Sequence, residues 1–354
     1  MIDFRYHLVS IVAVFLALAI GIVLGSTELQ GPAYNFLDKT TSKLENELSQ
    51  VSSQRDTAQQ QAGEDELYAQ AVEPAVLRGL LTGQRLLIVT EPGAQPGVVS
   101  GITAAAVDAG ATVTGQVNLT SKFFDTSGTT QDSLNQTTLG VAQTAGIQLD
   151  TSATYQQQAA QMIATELLST PVKTGSSGSQ SAAGDQGATT AATATTAATA
   201  GPMLQAYAAS QFLTTTGQPA TPATLAVVVT PQNAPSDGSA DQLDQVLVPL
   251  VQELAGKSAA TVVVGSSAGS GAGSPIAVLR SNNVSNQVST VDDADLVSGQ
   301  TVAIQALAVQ LGGGKASSYG FTANGATSIA PSPVPTPTAS PSATATPPTK
   351  KKGK

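Results

Sequence analysis

The sequence predicts an α/β protein: an N-terminal transmembrane helix, a coiled-coil stalk, then a head on a mostly parallel, Rossmann-like sheet of two βαβ-type halves flanked by helices. Three observations carry this. An apolar run fills residues 8–24, a seam of apolar residues at alternating spacings of three and four follows it, and two later stretches repeat the order strand, proline-marked loop, helix, strand.

The apolar run is relieved only by Ser10 and Gly21. At 1.5 Å per residue it is near the short end of what spans a bilayer. Arg5 and His7 precede it, and positive charge on that flank favours keeping the N-terminus cytoplasmic. The rest of the chain is then extracytoplasmic. A cleaved signal peptide is the rival reading, but the start is only weakly basic, because Asp3 offsets Arg5, and Val23-Leu24-Gly25 is a poor cleavage site. Ala13, Ala17, Gly21 and Gly25 recur every fourth residue, which puts them on one helix face. Such small-residue stripes let transmembrane backbones approach and associate. The plain alternative is that alanine is frequent throughout this chain.

The stalk seam runs through Tyr34, Leu37, Thr41, Leu44, Leu48, Val51, Arg55, Ala58 and Ala62, with Lys39, Lys43, Glu45, Glu47 and Asp56 off it. This is heptad patterning, with Leu37, Leu44, Leu48 and Val51 its apolar knobs. A solvent-exposed stalk packed on its own domain is the alternative.

In the head, 85–90 (RLLIVT) is bulky without alternation, the mark of a strand buried on both faces. Glu91-Pro92-Gly93 and Pro96-Gly97 break it, 98–109 has helical spacing, Gly110 suits a helix C-terminus, and 112–119 reads as a second strand. The order returns in 225–230 (LAVVVT), a loop over 231–238, a helix over 241–254 and a strand over 260–264 (ATVVV). Further helices are expected over 131–145, 152–168, 203–213, 275–280 and 299–311. Two half-domains in one sheet are the simplest inference. The boundaries read 1–30 anchor, 31–65 stalk, 66–170 and 203–330 the two halves. Residues 171–202, rich in Gly, Ser, Ala and Thr, form a flexible insert, and 331–354 a disordered Pro/Ser/Thr tail with a basic end.

Composition excludes several classes. A net charge of −9 argues against nucleic acid as a partner. There is no cysteine, so stability rests on packing rather than disulfides. No tryptophan, six tyrosines and seven phenylalanines are thin for a ligand site with aromatic walls and for the aromatic girdles of an outer-membrane barrel. Serine–histidine catalysis lacks a partner, since His7 is the one histidine and lies ahead of the apolar run. The Gly/Ser-rich loop 265–273 is not followed by the Gly-Lys-Ser/Thr of a phosphate cradle. Asp292, Asp293 and Asp295 are too few for a calcium loop and read as helix N-capping acids. Copper prefers thiolate, thioether or imidazole, and methionine occurs only at Met1, Met162 and Met203. No catalytic, metal or cofactor residue is assigned, no cofactor is expected, and the chain reads as a non-enzyme.

The opening Asp3-Phe4-Arg5-Tyr6-His7-Leu8-Val9-Ser10, the run from Val14 to Gly25, Gln54-Arg55-Asp56, Ala109-Gly110-Ala111-Thr112-Val113-Thr114-Gly115 and Val288-Ser289-Thr290-Val291-Asp292 together resemble the mycobacterial copper transport protein B family of actinobacteria. Gly299-Gln300, Gln310-Leu311-Gly312-Gly313 and Tyr319-Gly320 extend the likeness over nearly the whole chain outside the insert and tail. The resemblance implies a copper transporter of the cell envelope, placed at the outer membrane and pore-forming, that serves copper efflux and homeostasis. It carries over no ligand or catalytic residue. The expected partners are membrane lipid, further copies of the chain as a homo-oligomer, and copper ions met indirectly. The alternative is a non-enzymatic structural or interaction module of the envelope with no direct copper site.

Overall fold

The computed structural model describes residues 4–169, 200–217, 222–232, 240–269, 271, 273–321 and 325–332. The chain divides into two units, Met1–Leu67 and Tyr68–Lys354.

The first unit is helical. Helix α1 (Phe4–Leu77) runs through it, and the helix passes the Gly31-Pro32 step without interruption. Its stretch Phe4–Gly25 has a mean hydropathy of 2.9 and is long and apolar enough to cross a membrane. The predicted stalk 34–62 lies wholly within this one helix.

The second unit is built on strands β1 (Arg85–Thr90), β2 (Thr112–Leu119), β3 (Leu213–Thr216), β4 (Leu225–Val229), β5 (Ala260–Val264), β6 (Ser289–Val291) and β7 (Ser318–Tyr319). They form one sheet in the order β3-β2-β1-β4-β5-β6-β7. Every pairing is parallel except β2 with β3. The helices are α2 (Pro96–Asp108), α3 (Ser121–Phe124), α4 (Gly128–Ala145), α5 (Tyr155–Leu167), α6 (Ala200–Ala209), α7 (Ala240–Lys257), α8 (Pro275–Ser281) and α9 (Val297–Leu311).

The lack of alternation in the central strands has the expected cause, a helical layer on each face. Leu87 and Val89 of β1, Val228 of β4 and Val263 of β5 pack with residues of α4, α5, α6, α7 and α8. Their neighbours Leu86, Ile88, Val227 and Val262 pack on the opposite side, with α2, α9 and Leu77 at the end of α1. Each such side chain taken from water contributes roughly 1.5–3 kcal/mol. The two halves expected from the repeated order therefore meet as neighbours in one sheet, through the β1–β4 pairing.

Local chemistry sets the helix ends. Pro96 takes the first turn of α2, where its missing N–H is no loss. Thr154 caps α5 by accepting from the Gln157 backbone N–H, and Ser274 caps α8 by accepting from Ala277.

Two expectations change. The helix expected over 203–213 is α6, which ends at Ala209. Gln211 adopts a left-handed φ of 62°, and Leu213-Thr214-Thr215-Thr216, β-branched after a buried leucine, forms the antiparallel edge strand β3. The acids before α9 do not cap it: the cap residue is Leu296, with no side-chain hydrogen bond. The loop after β5 contains a short 3-10 turn, Ser267–Gly269, whose Gly269 is buried. Within the insert expected over 171–202, residues 171–199 lie outside the described residues, as do 333–354 of the tail and 233–239 of the loop after β4.

Candidate functional site

The strand order gives the head a natural site. The chain winds outward from β1 to β2 on one side and from β4 to β5, β6 and β7 on the other, so the direction of winding reverses between β1 and β4. In open α/β sheets the crevice at the carboxyl ends of such strands is where ligands bind. Two polar clusters stand at that end of the sheet.

The first follows β1. Glu91 is the residue after the strand, and its backbone N–H donates to the Val229 carbonyl at 2.9 Å. The side chain is only 4% exposed, and its Oε1 has no hydrogen-bond partner among the described residues. Burial pushes the Glu91 carboxyl up to about 8. It lines a groove of about 780 Å³ between α2 and the ends of β1 and β2. On the groove wall, Thr90 Oγ1 donates to Asn118 Oδ1 at 2.7 Å, Gln116 Nε2 donates to the same oxygen, and Asn118 Nδ2 donates to Thr216 Oγ1 at 3.2 Å. A polar ladder thus crosses from β1 through β2 to β3.

The second cluster follows β6. The Arg280 guanidinium, on α8, donates from Nη1 to Asp292 Oδ2 at 2.8 Å, from Nε to Thr290 Oγ1 at 3.0 Å and from Nη2 to the Tyr319 carbonyl at 2.7 Å. Asp292 is fully buried and its Oδ1 also accepts the Phe321 N–H at 2.8 Å. Asp295 accepts from the Ser267 N–H and Oγ, both at 2.9 Å, and so ties down the loop after β5. Asp293 is buried, its Oδ1 without a partner among the described residues; burial and then the neighbouring Asp292 raise its carboxyl to about 6. Asp292 and Asp295 thus hold different segments, and none of the three acids is the cap of α9.

For copper, the inventory is poor. Among the described residues no three His, Cys, Asp or Glu come close enough together to hold a metal ion. Met162 is sealed in the apolar core on α5, and Met203 packs against that core from α6. The residues singled out in the sequence all lie on α1. Ala13, Ala17, Gly21 and Gly25 are exposed on its apolar stretch, and a Cβ added at Gly21 or Gly25 would meet nothing within 4 Å. Leu37, Leu44, Leu48 and Val51 are exposed farther along the same helix. Sequence reasoning missed Glu91, whose Glu-Pro-Gly setting reads as a turn. It also missed the Arg280–Asp292 pair, for which the sequence offers no signal.

The buried acids set a pH dependence. Glu91 titrates at about 8 folded against an ordinary 4.5, so the folded state holds this proton more tightly. Between those values the unfolded chain binds fewer protons, and stability falls as pH rises, by at most about 1.4 kcal/mol per unit for one group. Burial acts on Glu166 of α5 in the same sense, raising its carboxyl to about 8. Asp125 and Asp150 are held low by hydrogen bonds from Ser127 and Ser152 and act only below their ordinary 3.8. The head should therefore melt at a higher temperature at pH 5 than at pH 7.5. Glu91→Gln should flatten that slope in a melting series; an unchanged slope would show that this carboxyl is not the source.

Comparison with known proteins gives a consistent result. The family described as "Copper transport outer membrane protein, MctB" matches residues 1–331. The copper transporter MctB of Mycobacterium tuberculosis is 27% identical over 334 residues, covering 94% of this chain and all of that protein, and the one from Mycobacterium bovis aligns equally well. The copper transporter MctB of Mycobacterium leprae is 28% identical over 338 residues, covering 93% of this chain and 99% of its own.

Proposed function

The chain belongs to the MctB family of copper transport outer membrane proteins, and from that premise we propose that it is a membrane-anchored envelope protein serving copper efflux and homeostasis. In this reading its α1 helices assemble, and copper is handled by the assembly without a tight site in the head. The anchor is residues 1–30, the stalk 31–65 is a coiled coil between copies, and the head beyond it is a Rossmann-like scaffold that is not an enzyme. A pore would come from the assembled helices, at the outer membrane that the family description names. The observation that carries the reading is the apolar stretch Phe4–Gly25, whose side chains are exposed along their whole length and call for lipid or neighbouring helices.

Two measurements test it. Titration of the purified chain with copper(II), and competition with a chelator for copper(I), should give no stoichiometric site of submicromolar affinity, because carboxylates hold copper weakly in water. A tight site would sink the ligand argument. Gly21→Leu with Gly25→Leu should weaken crosslinked dimers or larger forms in membranes, since bulk on that face keeps the helices apart. Nothing in the helix itself opposes the change, as both glycines face open space. Crosslinking unchanged in that pair, and in Leu44→Ser with Leu48→Ser, would remove α1 as the assembly element.

A further inference from the structure

The turn between β6 and α9 buries a carboxyl that has no cation of its own. Asp293 is 7% exposed, and its Oδ1 has no hydrogen-bond partner among the described residues. Ionising it there costs free energy twice, through lost hydration and through the facing carboxylate of Asp292. Among the described residues, the charged groups acting on it are Asp292 and Asp295 of the same turn, which oppose its charge, and Arg280 of α8, which favours it. That guanidinium is already committed to Asp292, Thr290 and the Tyr319 carbonyl.

Packing decides which way the turn can give. Asp292 is pinned by Arg280 and by the Phe321 N–H, so the chain cannot yield on that side. The first turn of α9 is pressed so close that a Cβ at Gly299 would collide with the Asp293 carbonyl and Oδ1. Ala294 is held as well, its N–H on the Gly265 carbonyl at 2.9 Å and its carbonyl by Gln300 Nε2 at 3.0 Å. The turn is closed by the Leu296 N–H, which donates to the Asp293 carbonyl at 3.0 Å. Asp295 lies inside that turn, so a shift of Asp293 about the fixed Ala294 moves Asp295 too. Asp295 is exposed, and it accepts from the Ser267 N–H and Oγ, both at 2.9 Å. The loop it holds is seated on the loop after β4, where Ser266 Oγ donates to the Gln232 carbonyl at 2.7 Å.

We propose that the β6–α9 turn is a proton-operated latch on the loop after β5: protonated Asp293 keeps the turn closed with Asp295 on Ser267, and ionised Asp293 swings toward water and draws Asp295 off. The closed turn binds the proton more tightly than the open one, since the carboxyl titrates at about 6 when buried against an ordinary 3.8. Acid therefore favours the closed form, and opening grows as pH rises toward about 6 and levels off above it. Between pH 5 and pH 7.5 the opening equilibrium shifts about tenfold. Ligands of open α/β sheets enter at the carboxyl ends of the strands, so the latch governs that end of the sheet beside β4 and β5. It plays no part in the copper reading, and either can fail alone.

The experiment is hydrogen exchange of the full chain in a non-ionic detergent at pH 5 and pH 7.5, corrected for the intrinsic pH dependence of amide exchange. The Ser267 and Leu296 amides should lose about tenfold in protection at pH 7.5 relative to amides of β1 and β4. Asp293→Asn, which cannot ionise, should remove that difference and keep both amides protected at pH 7.5. Glu91→Gln should leave it in place, which separates the latch from the overall pH dependence of the head. Asp295→Ala changes an exposed side chain and so keeps the test decisive even if Asp293→Asn fails to fold. In that variant Ser267 should be unprotected at both pH values while Leu296 still responds. Equal protection of the two amides at both pH values in the parent chain would overturn the proposal. So would a response that survives Asp293→Asn, one that persists at Ser267 in Asp295→Ala, or one that β1 and β4 share in full.

Discussion

Arg280→Ala is expected to lower the stability of the head by about 3–5 kcal/mol, the cost of breaking a buried ion pair by removing one partner. The guanidinium is the joint of three elements: it leaves α8 and reaches Thr290 and Asp292 at the end of β6 and the Tyr319 carbonyl of β7. Its side chain is 8% exposed and that of Asp292 0%, so neither charge can be handed back to water without opening the fold. At about 2–4 °C per kcal/mol for a domain of this size class, the melting temperature should fall by at least about 6 °C. Thermal unfolding followed by circular dichroism reads this directly. A shift smaller than about 2 °C would mean that the pair is solvated in solution and that β6 and β7 are held by backbone pairing alone.

Gly320→Ala should act on the same joint from the other side. Gly320 has a φ of 114°, and a Cβ there would collide with Asp292 Oδ1. The backbone conformation costs a non-glycine residue about 1–3 kcal/mol, and overpacking a filled site adds about 1–3 more. The relief available to the chain is to move residues 319–321 away, which breaks the Phe321 N–H bond to Asp292 and loosens β7. Hydrogen exchange should show Phe321 and Thr290 amides losing protection in this variant before the β1–β4 core does. Protection unchanged at both, with an unchanged melting temperature, would contradict the tight approach of these two segments. The two substitutions meet at one carboxylate, so their effects should not add.

What the sequence made legible follows from burial. β1, β2, β4 and β5 are the central strands, and those covered by helices on both faces read as continuous bulky runs such as LLIVT, LAVVV and ATVVV. β3, β6 and β7 are four, three and two residues long and rich in Ser and Thr, too short and too polar to show a period. The C-terminal part of the expected helix over 203–213 was misread for the same reason: nothing local distinguishes Leu213-Thr214-Thr215-Thr216 from a helix end until β2 is there to pair with it. The apolar stretch of α1 and its small residues were legible because they depend only on order along one helix. Glu91 was not, because its burial is conferred by α2 and by the Val229 carbonyl of a strand far along the chain. Arg280 and Asp292 are twelve positions apart on different elements, and only the α8–β6 crossover brings them together.

Copper handling by the membrane-anchored assembly, as proposed above, requires that the head alone cannot replace the full chain in cells. The most direct measurement is cellular copper content and copper tolerance in a strain lacking this protein, complemented either by the full chain or by residues 68–354 exported behind a cleavable signal at matched levels. The full chain should restore low copper content and tolerance, and the exported head should not. Full restoration by the head alone would contradict it.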